Sequence, residues 1–186
     1  MQPIGFGQAT GTIAVYVEKR PPIASFNTMT SILPLQTGEI DWINAQAGNG
    51  WRKLFNVYAK LVQTLALPQY QAYRDLSWQQ WRDQYLLQRS GQEALLFSAP
   101  DLAANQYLYH IIAGRTYGKQ LLAGPLAGVE MVWLDEEFAI CAEHRLIICP
   151  YFDYRQLSNV KISFLSDLVK TLAPGEHTHI TSQYSQ

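Results

Sequence analysis

Apolar positions recur with a helical period over residues 49–65, which is the clearest pattern in the chain. They fall at steps of three and four, at Trp51, Leu54, Phe55, Tyr58, Leu61, Val62 and Leu65. This spacing predicts an amphipathic helix that begins at an Asn49 cap and ends before Pro68. A similar stripe predicts a last helix over residues 159–172, with Val160, Phe164, Leu165, Leu168, Val169 and Leu172 on one face.

Short apolar runs rich in β-branched and aromatic residues lie between the helical segments and predict strands. In chain order these strands cover residues 13–17, 93–97, 129–134 and 144–149, with a shorter one over 138–141. Ser77 and Gln80 have the spacing of a capping box, which predicts a helix over 77–88. Because strands alternate with helices, the sequence predicts a three-layer α/β fold with a mostly parallel central sheet of about four strands.

The remaining segments are assigned from local residue types. Pro100 favours a helix start, and this helix is expected to reach 110–113, to break near Gly114 and to resume through 121–122. Residues 23–48 show no sustained period, so we expect a long loop with a short helical turn.

Length and composition favour one globular domain. The chain has 186 residues, of which 48% are hydrophobic and only 16% charged, and this excludes intrinsic disorder. We expect the domain over 13–172, between a flexible lead-in at 1–12 and a polar tail at 173–186. The net charge of -1 excludes a uniformly basic surface, so binding of a polyanion requires a local cluster of cations.

The sequence favours a cytoplasmic protein without a cofactor, a metal or a membrane contact. Cys141 and Cys149 are too few for an iron–sulfur cluster or a four-cysteine zinc site, and both are expected to be buried thiols. The first residues lack the pattern of a signal peptide, and no apolar stretch approaches the roughly 20 residues that span a bilayer. His177-Thr178-His179 is expected to belong to the polar tail, and Asp135-Glu136-Glu137 to a solvated turn.

Ligand sites of parallel α/β sheets lie in the crevice beyond the carboxyl ends of the strands. The loops expected there are 18–22, 98–101 and 150–158, joined by Asn49 at the start of its helix. They carry cations and aromatic rings, namely Lys19, Arg20, Arg52, Lys53 and Arg155 beside Tyr151, Phe152 and Tyr154. Since cations bind phosphates and aromatic rings stack on bases, these loops predict a cleft for a nucleotide or nucleic acid. The open alternative is that Phe152 belongs to the core and the arginines to an ordinary solvated surface.

Three segments resemble the uracil-DNA glycosylase superfamily, especially its mismatch-specific branch. Residues 17–22, Val-Glu-Lys-Arg-Pro-Pro, occupy the place of that family's Gly-x-Asn/Asp-Pro-Gly loop. Residues 47–51, Ala-Gly-Asn-Gly-Trp, are similar to its Gly-Asn-x-Phe-Trp motif. Residues 146–155, followed by a helix, resemble its late strand and Pro-His/Asn-Pro-Ser loop. The resemblance covers most of residues 13–172 and implies a glycosylase-like scaffold with a base-binding cleft.

The resemblance implies degenerate catalytic motifs. The family's water-positioning Asn or Asp falls at Lys19 or Arg20, so the neighbouring Glu18 becomes the candidate base. The alternative interpretation of Glu18 is an exposed glutamate at the end of a strand. The family's late His or Asn corresponds to Tyr151, whose hydroxyl can donate a hydrogen bond to a departing base. The family's Ser corresponds to Asp153. Glu18 and Asp153 are therefore the acid/base candidates, and binding is expected ahead of base excision.

A noncatalytic interaction module is the alternative function. Trp78, Trp81 and Tyr85 lie on one predicted helix, where they could form an aromatic surface for a protein partner or for a second copy in a homo-oligomer. His110 lies within an apolar segment, so we expect a buried imidazole with a hydrogen-bond partner rather than a catalytic group.

Overall fold

The computed structural model describes residues 2–175, and its centre is one sheet of eight strands with helices on both faces. The strands are β1 (Gly5–Gly7), β2 (Gly11–Tyr16), β3 (Ile32–Leu33), β4 (Glu93–Leu96), β5 (Tyr107–Ala113), β6 (Val132–Trp133), β7 (Ala139–Cys141) and β8 (Leu146–Cys149). The helices are α1 (Ala24–Asn27), α2 (Glu39–Ala47), α3 (Asn49–Leu65), α4 (Trp78–Gln84), α5 (Arg115–Leu122) and α6 (Asn159–Thr171). Short 3-10 helices cover Pro68–Tyr73 and Leu102–Ala104.

The strand order is β3-β1-β4-β2-β5-β8-β7-β6. The central strands β4, β2, β5 and β8 run parallel, whereas β1 pairs antiparallel with β4, and β7 with β8. The predicted α/β class is therefore confirmed, but the sheet is mixed and wider than predicted. Most of the outer strands span only two or three residues, which is too short for a recognisable alternation in the sequence.

Helix α3 forms where the sequence predicts it, because its apolar stripe packs on one face of the sheet. Its buried residues include Leu54, Phe55 and Tyr58. The Tyr58 hydroxyl donates a hydrogen bond to the Ala94 carbonyl at 2.8 Å, which ties α3 to β4. Helix α6 packs against α3, and α5 covers the other face of the sheet. The predicted capping box at Ser77 is also present, at the start of α4.

Three predicted segments are wrong. Residues 107–113, predicted as helix, form the central strand β5, because an apolar run buried on both sheet faces lacks alternation and resembles a buried helix. Residues 5–7, predicted as flexible, form β1, where Gly5 lies so close to β4 that a Cβ would collide with the Leu95 carbonyl oxygen. Residues 39–47, predicted as loop, form α2.

His110 and the two cysteines are buried, as the sequence predicts. His110 is 4% exposed, and its Nδ1 lies 2.7 Å from the Tyr16 hydroxyl oxygen. Burial is the main cause that lowers the pKa of His110 to about 4, so the ring is neutral at neutral pH. Cys141 and Cys149 are both free and buried, and burial raises the pKa of the Cys149 thiol.

Across residues 2–175, no helix is both long and apolar enough to cross a bilayer. The same stretch holds no group of three or more His, Cys, Asp or Glu side chains that could bind a metal ion. Asp135 Oδ1 accepts hydrogen bonds of 2.7 Å from the amides of Glu137 and Phe138, so this carboxylate organises a turn. The His177-Thr178-His179 segment of the predicted tail lies outside the described residues.

Candidate functional site

A pocket of about 310 Å³ lies at the carboxyl edge of the sheet, where β2, β5 and β8 end. The three ends are level, because Tyr16 pairs with Ile112 and Ile112 pairs with Ile148. The lining residues are Glu18, Lys19, Ala113, Gly114, Arg115, Thr116, Tyr117, Tyr151 and Gln156. The pocket therefore occupies the crevice in which parallel α/β sheets hold their ligands.

Gly114 lies beside two tyrosines of this pocket. A Cβ at Gly114 would lie 3.8 Å from Tyr117 Cβ and 3.9 Å from Tyr151 Cδ2. Its φ of 113° belongs to the region that favours glycine. The Gly114 amide donates to the Cys149 carbonyl at 2.9 Å, which holds the turn from β5 into α5 against β8. The missing side chain keeps this part of the pocket open.

The charged lining residues have few partners of their own. Glu18 and Lys19 are exposed, and neither forms an ion pair with another residue of the described chain. Arg115 Nη1 donates to the Glu136 carbonyl at 3.1 Å, which holds its guanidinium beside the pocket. The first turn of α5 also begins here, and its free amides add to the positive potential. The pocket thus combines two cations with one carboxylate.

The two tyrosine hydroxyls remain neutral donors at neutral pH. Burial raises the pKa of Tyr117, and the negative charge of Glu18 raises it further. Burial likewise raises the pKa of Tyr151, with a smaller contribution from Asp153. Both rings can therefore offer an aromatic face and an uncharged hydroxyl to a ligand.

Asp153, a predicted acid/base candidate, belongs to a network of ion pairs beside the pocket. Its Oδ2 lies 3.4 Å from Lys53 Nζ and 3.2 Å from Arg155 Nη2, and its Oδ1 accepts from the Arg155 amide at 2.9 Å. Burial acts to raise the pKa of Asp153, but the hydrogen bonds from Arg155 and Lys53 outweigh it and hold the pKa below its usual value. This carboxylate is therefore ionised and engaged, and it does not line the pocket.

Other predicted binding residues also lie outside the pocket. Phe152 is 0% exposed, and its ring packs edge-on against Tyr58 at 5.8 Å, so it belongs to the core, as the alternative interpretation had it. Asn49 and Arg52 are exposed on the first turn of α3 and are not lining residues. Arg20 Nη1 donates at 3.0 Å to three carbonyls after β2, those of Phe26, Asn27 and Met29.

Sequence reasoning found one side of the pocket and missed the other. Glu18, Lys19 and Tyr151 were predicted because they follow apolar runs that were recognised as strands. Gly114 and Tyr117 were missed because the preceding run was predicted as helix. A glycine directly after an apolar run and before a polar helical segment is the pattern that indicates such a strand-to-helix turn.

The predicted aromatic helix surface is not a flat exposed patch. Trp81 is 3% exposed, and its ring packs against Tyr85 with centroids 5.6 Å apart. Trp78 is covered by two cations, with Lys60 Nζ at 5.0 Å and the Arg82 guanidinium at 5.4 Å from its ring centroid. The aromatic residues of α4 are thus engaged within the chain, which leaves no observation in favour of a docking surface there.

Two other depressions have less suitable linings. A larger, more open groove of about 530 Å³ involves residues 34–37 and 88–90, where Arg89 is the charged residue and no aromatic ring is present. A small apolar cavity of about 40 Å³ lies beside Tyr70 and Trp81, which is room for little more than one water molecule. The carboxyl-edge pocket is the one of these three that combines aromatic rings with charges of both signs.

Residues 4–170 match the model of a family described as "Family of unknown function (DUF6942)". Searches of curated proteins and of solved structures gave no match.

Proposed function

Because the chain belongs to this family of unknown function, we propose its function from the pocket itself, which is to bind a nucleobase carried by a nucleotide or a nucleic-acid strand. The observation that carries the proposal is the pocket of about 310 Å³, which Tyr117 and Tyr151 line together with Gly114. Stacking of one base on an aromatic side chain contributes about 1 to 3 kcal/mol and requires no particular base. Two tyrosines beside one space are suited to that contact.

The charges beside the pocket support a phosphate-bearing ligand. Lys19 and Arg115 are the cations among the lining residues, and both are free to contact an anion, since Arg115 uses one nitrogen for a backbone carbonyl. Two phosphate contacts to a single strand give a salt slope of about -1.4, so affinity should fall about sevenfold between 50 and 200 mM salt. Binding is therefore expected to be modest and dependent on salt.

The volume of the pocket limits the ligand to about one nucleotide. At about 310 Å³ it lies at the lower end of the roughly 300 to 1,000 Å³ that small-molecule sites occupy. A single base with its sugar fits that range, whereas a base-paired duplex does not. A base within a nucleic acid would enter from a single strand or after extrusion from the helix.

The resemblance to the uracil-DNA glycosylase superfamily supports the same location, and base excision is a separate step beyond binding. Excision needs an acid or base within reach of the glycosidic bond. Glu18 is the carboxylate among the lining residues, while Asp153 is held by Lys53 and Arg155. Formation of abasic sites in oligonucleotides with damaged or mismatched bases tests this step, and Glu18→Gln should abolish any product.

Calorimetric titration with nucleoside monophosphates and short single-stranded oligonucleotides at two salt concentrations tests the binding proposal. Tyr151→Leu should weaken binding about tenfold, in proportion to one lost stacking contact. Tyr154→Leu is the matched control, because Tyr154 lies on the same loop but is 57% exposed and outside the pocket. Likewise Lys19→Ala should reduce the salt dependence, and Arg52→Ala should not. Absence of binding by every ligand, or equal losses in both tyrosine variants, would refute the proposal.

A further inference from the structure

Glu18 is the feature of the pocket that phosphate binding does not explain. Its carboxylate follows β2 and lines the pocket beside the tyrosines, where it repels an anion. Two other acidic groups near this end of the sheet are engaged, since Asp153 pairs with Lys53 and Arg155, and Glu137 pairs with Lys161. Glu18 has no such partner among residues 2–175. A carboxylate left open in a pocket is available to accept hydrogen bonds from a ligand.

We infer that Glu18 makes the pocket selective for guanine, whose Watson–Crick edge presents two adjacent N–H donors; this inference rests on the proposed function. An ionised carboxylate only accepts hydrogen bonds, and its two oxygens match two parallel N–H groups. Guanine offers such a pair at N1 and N2. Glu18 reads that edge while the ring stacks beside Tyr117 or Tyr151.

The other common bases fit this carboxylate less well. The corresponding edge of uracil presents carbonyl oxygens on both sides of one N–H, so it places oxygen against oxygen. Adenine and cytosine each present one amino donor beside a ring nitrogen that accepts, which satisfies only one carboxylate oxygen. A hydrogen bond to a charged group is strong enough for each missing donor to reduce affinity by about tenfold or more.

The Glu18 carboxylate and the two tyrosine rings line the same pocket, so the carboxylate and the rings border one space. Lys19 and Arg115 line the pocket as well and are available for the phosphate of the same ligand. One pocket thus offers a carboxylate for the edge of the base, tyrosine rings for its face and two cations for the phosphate.

The first experiment uses the unmodified protein and measures dissociation constants for GMP, IMP, AMP, CMP and UMP by calorimetry at low salt. GMP should bind at least tenfold more tightly than UMP. IMP, which lacks the N2 amino group of guanine, should bind about tenfold more weakly than GMP. Equal affinities for all five would overturn the inference and leave the proposed function standing, whereas absence of binding by all five would remove both.

Variants then assign the selectivity to Glu18. Glu18→Gln presents one acceptor and one donor, so GMP affinity should fall about tenfold while AMP affinity is retained. Glu18→Asp keeps the carboxylate and should still prefer GMP to IMP. Glu130→Gln is the matched control, since Glu130 is an exposed carboxylate outside the pocket. An unchanged GMP to IMP ratio in Glu18→Gln, with circular dichroism like that of the parent, would overturn the role of Glu18.

A last arm distinguishes the two sources of a guanine that carries a phosphate. The affinity of GMP is compared with that of a five-nucleotide single strand with one central guanine among thymines, and with the same strand carrying thymine throughout. Tighter binding of the guanine strand than of GMP identifies a nucleic-acid segment as the source, and the reverse identifies a free nucleotide. Equal binding of the two strands would overturn guanine selectivity for nucleic acid.

Discussion

Two buried ionisable side chains, Glu93 and His110, make the free energy of unfolding depend on pH in opposite directions. Removal of the Glu93 carboxyl should therefore reveal the pH dependence that His110 causes. Glu93 at the start of β4 is 0% exposed, and its Oε2 accepts a hydrogen bond from the Gln92 amide at 3.1 Å. Burial outweighs that hydrogen bond and raises the pKa of Glu93 from 4.5 to about 7. Glu93→Gln removes the ionisable group while it keeps the size of the side chain and one acceptor oxygen.

The pKa of Glu93 makes the folded protein less stable as the pH rises. In the unfolded chain this carboxyl ionises near pH 4.5, whereas in the folded chain it keeps its proton up to about pH 7. Between these values the folded state binds more protons, so its stabilising contribution is complete below pH 4.5 and is lost by pH 7 and above. At about 1.4 kcal/mol for each pKa unit, the loss is about 3 kcal/mol.

His110 acts in the opposite direction. Its imidazole binds a proton below about pH 6.5 in the unfolded chain but only below about pH 4 in the folded chain. The unfolded state therefore binds more protons between these values, and the free energy of unfolding rises with pH by about 3 kcal/mol. From pH 4.5 to 6.5 the contributions of Glu93 and His110 cancel almost completely in the parent protein.

In Glu93→Gln the contribution of His110 to the pH dependence of stability remains, whereas the opposing contribution of Glu93 is removed. Relative to the parent, the free energy of unfolding of the variant should increase by about 2 kcal/mol between pH 4.5 and 6.5. Urea titrations followed by tryptophan fluorescence at half-unit pH steps measure this difference, and the m-value shows whether unfolding stays comparable. Glu130→Gln removes an exposed carboxylate and serves as the control, so its profile of stability against pH should run parallel to that of the parent. A Glu93→Gln profile that also runs parallel to the parent would show that Glu93 is not held protonated.

Four further substitutions test the fold and the pocket. Phe152→Ala should cost about 3 to 5 kcal/mol in urea unfolding if the ring is a core residue, whereas a loss under about 1 kcal/mol would contradict that placement. Gly114→Ala should cost about 1 to 3 kcal/mol because of its positive φ. It should also weaken nucleotide binding in calorimetry, because the methyl group takes up space in the pocket beside the tyrosines. Gly5→Ala should displace β1 from β4 and so remove the hydrogen-exchange protection of the β1 amides, and protection retained in this variant would contradict the close packing of β1. Gly50 is an exposed helical position with open space around it, so Gly50→Ala should raise the thermal midpoint.

Local patterns were sufficient for the elements with one buried face. Helix α3 has a strongly polar side and a continuous apolar stripe, so its period is visible without any partner. The same holds for the capping box of α4, which depends only on Ser77 and Gln80. Strand β5 is different, because the sheet buries it on both faces and removes the alternation that would identify it. Strand β1 forms because it hydrogen-bonds with β3 and β4, and Gly5 allows its close approach to β4. No local pattern in the sequence reveals this contact.

In the candidate site, too, some residues could be predicted from local patterns and others depend on the tertiary structure. Glu18 and Tyr151 could be predicted because each follows a recognisable apolar run, and parallel strands bring their carboxyl ends to one edge. The distinction between Phe152 in the core and Tyr151 in the pocket depends on which way each side chain leaves the loop after β8.

The sequence by itself determined the α/β class, the two main amphipathic helices and the composition of the loops after β2 and β8. These follow from periodicity and residue type, which act between near neighbours in the chain. The tertiary structure decided the strand order, the approach of Tyr151 to Gly114, and the pairing of Asp153 with Lys53, since each joins residues far apart in sequence. For the same reason it decided which charges are neutralised and which, like Glu18, remain open to a ligand.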